Sequence, residues 1–332
     1  MRIALDAMGS DRAPTIEVEG ALGALRSLGG TFHLVLVGDR ERIEAELARH
    51  PDAPLDRIDI VHAPQRIEMG ESPAQAIRRK PDSSIVVGLS LQKQGEVDAF
   101  ISAGSTGAMM AGSLVILRPL PGVDRPAIAT VIPTRTGHTL LIDAGANVDT
   151  RPTNLLQFAH LGSIYARDLM ELANPRVGLL NIGEEPEKGD ERSLEAFRLL
   201  SESPSLNFVG NIEGRDIIEE KCDVLVCDGF AGNVLLKFYE SVAAFIVGLV
   251  HSEAKVAKTQ IDLSRITQFL DYTEYGGAPL LGVNGVSIIC HGGSPPRAIV
   301  AAIRVAVQAV ESNMVQHIQT RLARLSADQG DS

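Results

Sequence analysis

Lys188 lies between Gly183 and Gly189, among Glu184, Glu185 and Glu187, directly after the aliphatic run Val177 to Leu180. A flexible ammonium in such a loop can neutralise an incoming phosphate or a developing oxyanion, although a solvated surface lysine would look the same. A second polar turn, Ser102-Ala103-Gly104-Ser105-Thr106-Gly107, offers three hydroxyls together with backbone N–H groups that glycine leaves open to an anion. Asn147 and Asn233 stand in two more glycine-bearing turns and can donate amide hydrogens. Asp6, Asp11, Asp143 and Asp228 are suited to orient their loops by accepting backbone N–H bonds. His291, ahead of Gly292 and Gly293, is a candidate proton carrier, with a structural role as the alternative. Together these residue types describe a site that grips an anion and stabilises negative charge.

Other machinery is missing. The sequence has no Gly-x-Ser-x-Gly elbow, no His-Glu-x-x-His helix and no phosphate loop ending in Gly-Lys-Ser/Thr. Gly104, Gly107 and Gly112 lack dinucleotide spacing, so a bound nucleotide is not expected. Cys222, Cys227 and Cys290 form an odd set without metal-type pairing; they are expected to be buried apolar side chains in a reducing compartment. The net charge of −11 argues against wrapping a nucleic acid, and 4% aromatics without Trp argue against stacking platforms.

Positioning these loops requires a repeated unit. Short aliphatic runs at Arg2 to Leu5, Ala99 to Ile101, Leu140 to Ile142, Val177 to Leu180, Phe208 to Val209, Val224 to Cys227 and Val286 to Cys290 each break into a glycine-bearing polar loop. Helix-compatible sequence follows, the pattern of β-α units; His33 to Val37 and Ile58 to Val61 add further strands. Right-handed crossovers then give an α/β protein with a mostly parallel sheet in three α/β/α layers, all polar loops meeting at the carboxyl edge. A chain of 332 residues fits one such domain over 1–325, which could fold as two lobes, followed by a polar tail at 326–332.

The rhythm breaks at about 241–277. Val242, Phe245, Ile246, Leu249 and Val256, then Leu263, Ile266, Phe269 and Leu270, follow helical spacing around a polar break. A helical hairpin is expected, either packed or protruding towards a partner, a second subunit or a membrane surface. The longest apolar run, Val242 to Val250, is far short of the roughly 20 residues of a membrane span, and Asp6 interrupts any signal-peptide core. A cytoplasmic protein is expected.

Ala4-Leu5-Asp6-Ala7-Met8-Gly9-Ser10-Asp11-Arg12-Ala13-Pro14 resembles the opening motif of the bacterial phosphate acyltransferase family (PlsX). The blocks at 102–108, 141–147, 178–189, 210–216, 228–237, 276–282 and 285–294 resemble the family's further motifs in the same order, so the resemblance runs to about Ala309. Ser105 and Ser10 depart from the Asn and Gly usual there, keeping a small polar character. The resemblance implies transfer of a long-chain acyl group from acyl-acyl carrier protein to inorganic phosphate, giving acyl phosphate for phosphatidic acid and phospholipid synthesis. It also implies a fold similar to isocitrate and isopropylmalate dehydrogenases and phosphate acetyltransferases, a homodimer, peripheral association with the inner face of the membrane, and no cofactor.

Residue chemistry, independently of that resemblance, suggests roles within such a reaction. Ser102, Gly104, Ser105, Thr106, Gly107, Asn147 and Asn233 would hold phosphate and thioester, while Lys188 balances charge and His291 carries a proton. An acidic enzyme meeting an acidic carrier protein needs a basic patch: Lys255, Lys258 and Arg265 on the hairpin, or Arg78, Arg79 and Lys80, are candidates, with Leu249, Val256 and Ile266 as apolar hairpin contacts. Competing readings are a non-catalytic carrier-protein or lipid-binding regulator, and a metal- and NAD-dependent decarboxylating dehydrogenase of the same fold group.

Overall fold

The computed structural model describes residues 1–29, 32–256 and 276–330. The chain divides into two compact units, the first Met1–Pro126, Asp168–Glu171 and Gly276–Ser332, the second Ala127–Arg167 and Leu172–Tyr275.

In the first unit, β1 (Arg2–Asp6), β2 (His33–Gly38), β3 (Ile58–His62), β4 (Ala99–Ser102), β10 (Ala278–Leu281) and β11 (Val286–Ile289) form a sheet ordered β3-β2-β1-β4-β11-β10. Its first five strands are parallel, with Leu5 opposite both Leu36 and Ile101, and Ile101 opposite Ile288. Only β10 runs antiparallel. Parallel strands covered on both faces read as unbroken apolar runs, and Ile3, Ala4, Leu5, Phe100 and Ile101 are wholly buried. Helices α1 (Thr15–Ser27), α2 (Arg40–Leu47), α3 (Pro73–Arg79), α4 (Ser84–Lys93) and α5 (Thr106–Gly112) alternate with these strands. Several start on a side-chain cap, as the unpaired N–H groups of a first turn require: Asp39 accepts from Arg42 N, Ser83 from Val86 N and Ser105 from Ala108 N.

In the second unit, β5 (Ala127–Pro133), β6 (His138–Ile142), β7 (Arg176–Leu180), β8 (Asn207–Ile212) and β9 (Val224–Val226) lie in the order β5-β6-β9-β7-β8. β5 is antiparallel to β6 and the rest are parallel. α6 (Pro152–Leu169), α7 (Glu191–Ser201) and α8 (Gly229–Val256) complete the chain's middle, and α9 (Pro296–Glu311) and α10 (Met314–Gly330) its end.

The α/β class with a mostly parallel sheet is the one the sequence suggests, and three differences have physical causes. β5 and β10 were not expected: each is antiparallel, so no polar loop leading into a crossover helix marks it. Gly210 and Asn211, expected in a loop, continue β8; Val209 is the extra residue of a bulge, with Gly178 opposite Gly210 rather than Val209. The helix expected from residue 241 begins at Gly229 and runs unbroken to Val256, because Leu235, Leu236, Phe238 and Tyr239 continue its apolar content upstream. Its segment 229–250 is long and apolar enough to cross a bilayer by length and composition, which the Val242 to Val250 run alone did not suggest. The second half of the proposed hairpin, with Lys258, Arg265 and Ile266, lies outside the described residues.

Candidate active site

In the first unit β1, β4 and β11 are neighbours, so their carboxyl ends deliver three loops to one place. Asp6, almost fully buried, ties two of them: Oδ1 accepts from Met8 N at 3.0 Å and Oδ2 from the Ser102 hydroxyl at 2.6 Å. Burial pushes the Asp6 carboxyl up, opposed by bonds from Ser102, Ser84 and Met8 and by the Arg66 charge. Ser102 Oγ in turn accepts from Gly104 N at 3.0 Å. Gly9 is required where these loops meet, since a Cβ there would stand 2.7 Å from Gly104 N. The third loop joins through Asp11, whose N–H donates to the Gly292 carbonyl at 3.0 Å.

These contacts show what several of the expected site residues do within the fold. The Ser102 hydroxyl braces the turn from inside a buried loop, donating its one proton to Asp6 and accepting from Gly104 N with one of its two lone pairs. Asp11 links loops by its backbone, its exposed carboxylate accepting no hydrogen bond among the described residues. Ser105 Oγ caps α5 from a buried position, leaving the exposed Thr106 hydroxyl and the partly exposed Gly107 at the turn's surface. His291 is exposed; Nδ1 accepts from Gly293 N at 3.3 Å, so the neutral ring carries its proton on Nε2.

In the second unit Asp143 does the equivalent work. Its buried carboxylate accepts from the N–H groups of Ile128, Gly145, Ala146 and Asn147 at 2.7–3.2 Å, and from Asn147 Nδ2 at 2.9 Å. Burial raises its pKa against these bonds. The Asn147 amide thus helps to brace its own loop, where the sequence suggested a ligand donor. The Asn147 carbonyl accepts from Gly229 N at 2.7 Å, docking the start of α8, and Asn233 lies beside Gly145. Asp228 accepts from Ala231 N at 2.8 Å and from Arg192 Nη2 at 2.7 Å. Lys188 is exposed: its N–H donates to the Glu185 carbonyl, its stem lies over Gly183, and its ammonium has no partner among the described residues. Neighbouring Glu184 is paired with Lys221.

Sequence reasoning overlooked Arg192, Arg66 and Glu17. Arg192 stands in the first turn of α7, where only its spatial neighbour Asp228 gives it meaning. Arg66, in an irregular stretch, donates to the Ser10 carbonyl at 3.2 Å. Glu17 is wholly buried in α1. The three cysteines are buried and free; burial pushes Cys222 and Cys290 up to about 12 and raises Cys227 well above the ordinary thiol value, so none is a thiolate nucleophile at neutral pH. No cluster of three or more His, Cys, Asp or Glu suited to a metal occurs among the described residues.

Among solved structures, a phosphotransacetylase from Streptococcus pyogenes superposes with a TM-score of 0.65 at 17% identity, covering 94% of each chain, a likeness of fold. A family model described as fatty acid synthesis protein matches residues 1–317. The phosphate acyltransferase of Heliobacterium modesticaldum is 52% identical over 330 residues, 97% of this chain and 98% of the relative. That of Desulforamulus reducens is 51% identical over 329 residues, 97% of each. With braced, anion-ready loops on such a fold and half of its residues shared end to end, the chain belongs to the phosphate acyltransferase family and is an enzyme that transfers acyl groups to phosphate.

Proposed function

We propose that the acyl donor is the long-chain thioester of acyl carrier protein, and that the acyl phosphate formed feeds phosphatidic acid and phospholipid synthesis. A phosphate oxygen attacks the thioester carbonyl, the tetrahedral intermediate collapses with cleavage of the C–S bond, and the carrier thiolate leaves and takes up a proton. A thiol with a pKa of about 8.5 departs without a strong general acid. Phosphate is itself the nucleophile, consistent with three buried, protonated cysteines. Within the first unit, the Thr106 hydroxyl and the Gly104 to Gly107 turn engage phosphate, and His291 Nε2 serves as an auxiliary proton carrier. Within the second, Lys188 offsets negative charge on the substrates, with Asn233 a further donor. The observation that carries this reading is the exposed, unpartnered Lys188 ammonium held in a structured loop beside braced neighbours.

Exposed Arg78 and Arg79, neither paired among the described residues, are the basic residues offered to the acidic carrier; Lys80 is engaged by Glu71 and the Arg66 carbonyl. The apolar side of α8, with Phe230, Val234, Phe238, Phe245 and Leu249 all at least half exposed, supports peripheral contact with a membrane surface, where the product is to be used. A homodimer completes the proposal. Free thiol released from acyl-acyl carrier protein is measured with and without phosphate, and acyl phosphate is trapped with hydroxylamine. Thiol release that ignores phosphate refutes the reaction; carrier binding without thiol release would favour the regulator.

A further inference from the structure

A carboxyl group with no exposed surface is rare, because burial without a cation partner is costly. Glu17, the third residue of α1, is such a group. Its side chain turns back from the helix, and Oε1 accepts the Ser10 N–H at 2.6 Å, seven residues upstream. Oε2 and the Ser10 hydroxyl, both buried, have no hydrogen-bond partner among the described residues, so the bond from Ser10 N–H is the one that fixes the side chain there. Ser10 is gripped on its other side too, its carbonyl accepting from Arg66 Nη2 and Ala13 N. That residue ends the turn in which Asp6 holds Met8 N and the Ser102 hydroxyl, and in which Gly9 leaves no room for a Cβ beside Gly104 N. Asp11, next along, holds Gly292.

We propose that Glu17 is a positioning residue for acyl transfer to phosphate: through Ser10 N–H it holds the Asp6–Asp11 turn, and through that turn the Ser102–Gly107 turn, more tightly when its carboxylate is ionised. The charged form makes the stronger hydrogen bond, and roughly a doubling in strength over a neutral pair is general for such bonds. Burial pushes the Glu17 carboxyl up to about 7, the bond from Ser10 N–H opposing and the Asp6 charge adding, so the two forms exchange near neutral pH. The surrounding titratable groups are Asp6 at the end of β1, the protonated Cys290 thiol after β11, and Glu46 of α2, itself engaged by Thr15, Arg49 and His50. α9 carries Arg297, Arg304 and Glu311, all exposed. No ion pair reaches Glu17 among the described residues.

The inference rests on the Ser102–Gly107 turn serving the reaction, and its test separates the two. Glu17→Gln keeps an oxygen able to accept Ser10 N–H but cannot ionise; Glu17→Ala removes it. kcat/KM is measured from pH 5.5 to 8.5 with whichever thioester, of carrier protein or of coenzyme A, the wild type uses. Taking the wild-type to Gln ratio at each pH cancels the titration of phosphate itself. The ratio is expected to rise severalfold with pH through a step near 7, and Glu17→Ala to lose about 100-fold, as a displacement of order 1 Å can cost. Amide hydrogen exchange at Met8 to Asp11, which needs no substrate, is expected to accelerate in Glu17→Gln at high pH relative to the wild type. A flat ratio, or a folded Glu17→Ala enzyme with wild-type kcat/KM, overturns the proposal, and the Gln ratio decides alone if the Ala variant does not fold. Faster exchange with a flat ratio would mean that Glu17 orders the turn but the turn does not serve the reaction. If the wild type releases no thiol from either thioester, the donor reading fails, and unchanged exchange in Glu17→Gln then overturns this one separately.

Discussion

Gly229 and Gly248 belong to one helix and should respond oppositely to the same added methyl group. At Gly229 a Cβ would stand 2.7 Å from Asn147 N and 2.9 Å from Asn147 O, both backbone atoms that no rotamer change can move. Ordinary contact begins at 3.4 Å, so the first turn of α8 must retreat by about 3.4 − 2.7 = 0.7 Å. Overpacking of this kind costs about 1–3 kcal/mol, and straining the Gly229 N–H bond to Asn147 adds about 1 kcal/mol. At about 2–4 °C per kcal/mol, Gly229→Ala is expected to unfold roughly 5–10 °C earlier than the wild type. Because the Asn147 loop and Asp228 move with that turn, acyl transfer should fall by about 10- to 100-fold. At Gly248 a Cβ meets nothing within 4 Å among the described residues, and replacing a helical glycine by alanine should stabilise by about 0.5–1 kcal/mol with turnover unchanged. Thermal melts and initial rates on both variants check the pair. A Gly229→Ala enzyme with a wild-type midpoint and rate would show that the loop is not seated on α8 as described.

Lys188→Ala should lower turnover by orders of magnitude with an unchanged melting temperature, since its ammonium makes no bond that folding needs; normal turnover removes it from the mechanism. His160 is buried in α6, and burial holds its imidazole neutral, with the pKa down from 6.5 to about 4. The unfolded chain therefore binds more protons between these values, so stability is full above pH 6.5 and falls towards pH 4, by about 3 kcal/mol in all. His160→Leu should flatten the difference in melting temperature between pH 7 and pH 4.5, and equal slopes would contradict the assignment. Placing Asp at both Phe238 and Phe245 should abolish sedimentation with anionic phospholipid vesicles while sparing transfer from a soluble donor; retained vesicle binding would move the membrane contact elsewhere.

Nine strands and most of the loops that follow them are legible in the sequence, because a strand covered on both faces must be a run of aliphatic residues ending where the chain meets water. The family is legible because the opening motif at Ala4 to Pro14 and the blocks from 102–108 to 285–294 follow one another in the family's order, although each block alone is weak. β5 and β10 escaped because antiparallel neighbours need no polar loop and helix to follow them. The length of α8 escaped because apolar residues were weighed as a run and not as helix content. The roles of Ser102 and Asn147 could not be read either. A hydroxyl or amide is equally able to hold a ligand or its own loop, and only the positions of Asp6 and Asp143 show that both brace their loops. Glu17 is the extreme case, a charged residue in the first turn of a helix that any pattern assigns to solvent. What decided otherwise was the packing of α1, which closes over the carboxyl and leaves Ser10 N–H as its one partner. Sequence by itself determined the β-α order and the polar edge, because both follow from local water avoidance. Which polar groups remain for substrate was decided only by tertiary structure, because a hydrogen bond made inside the fold is one withheld from the ligand.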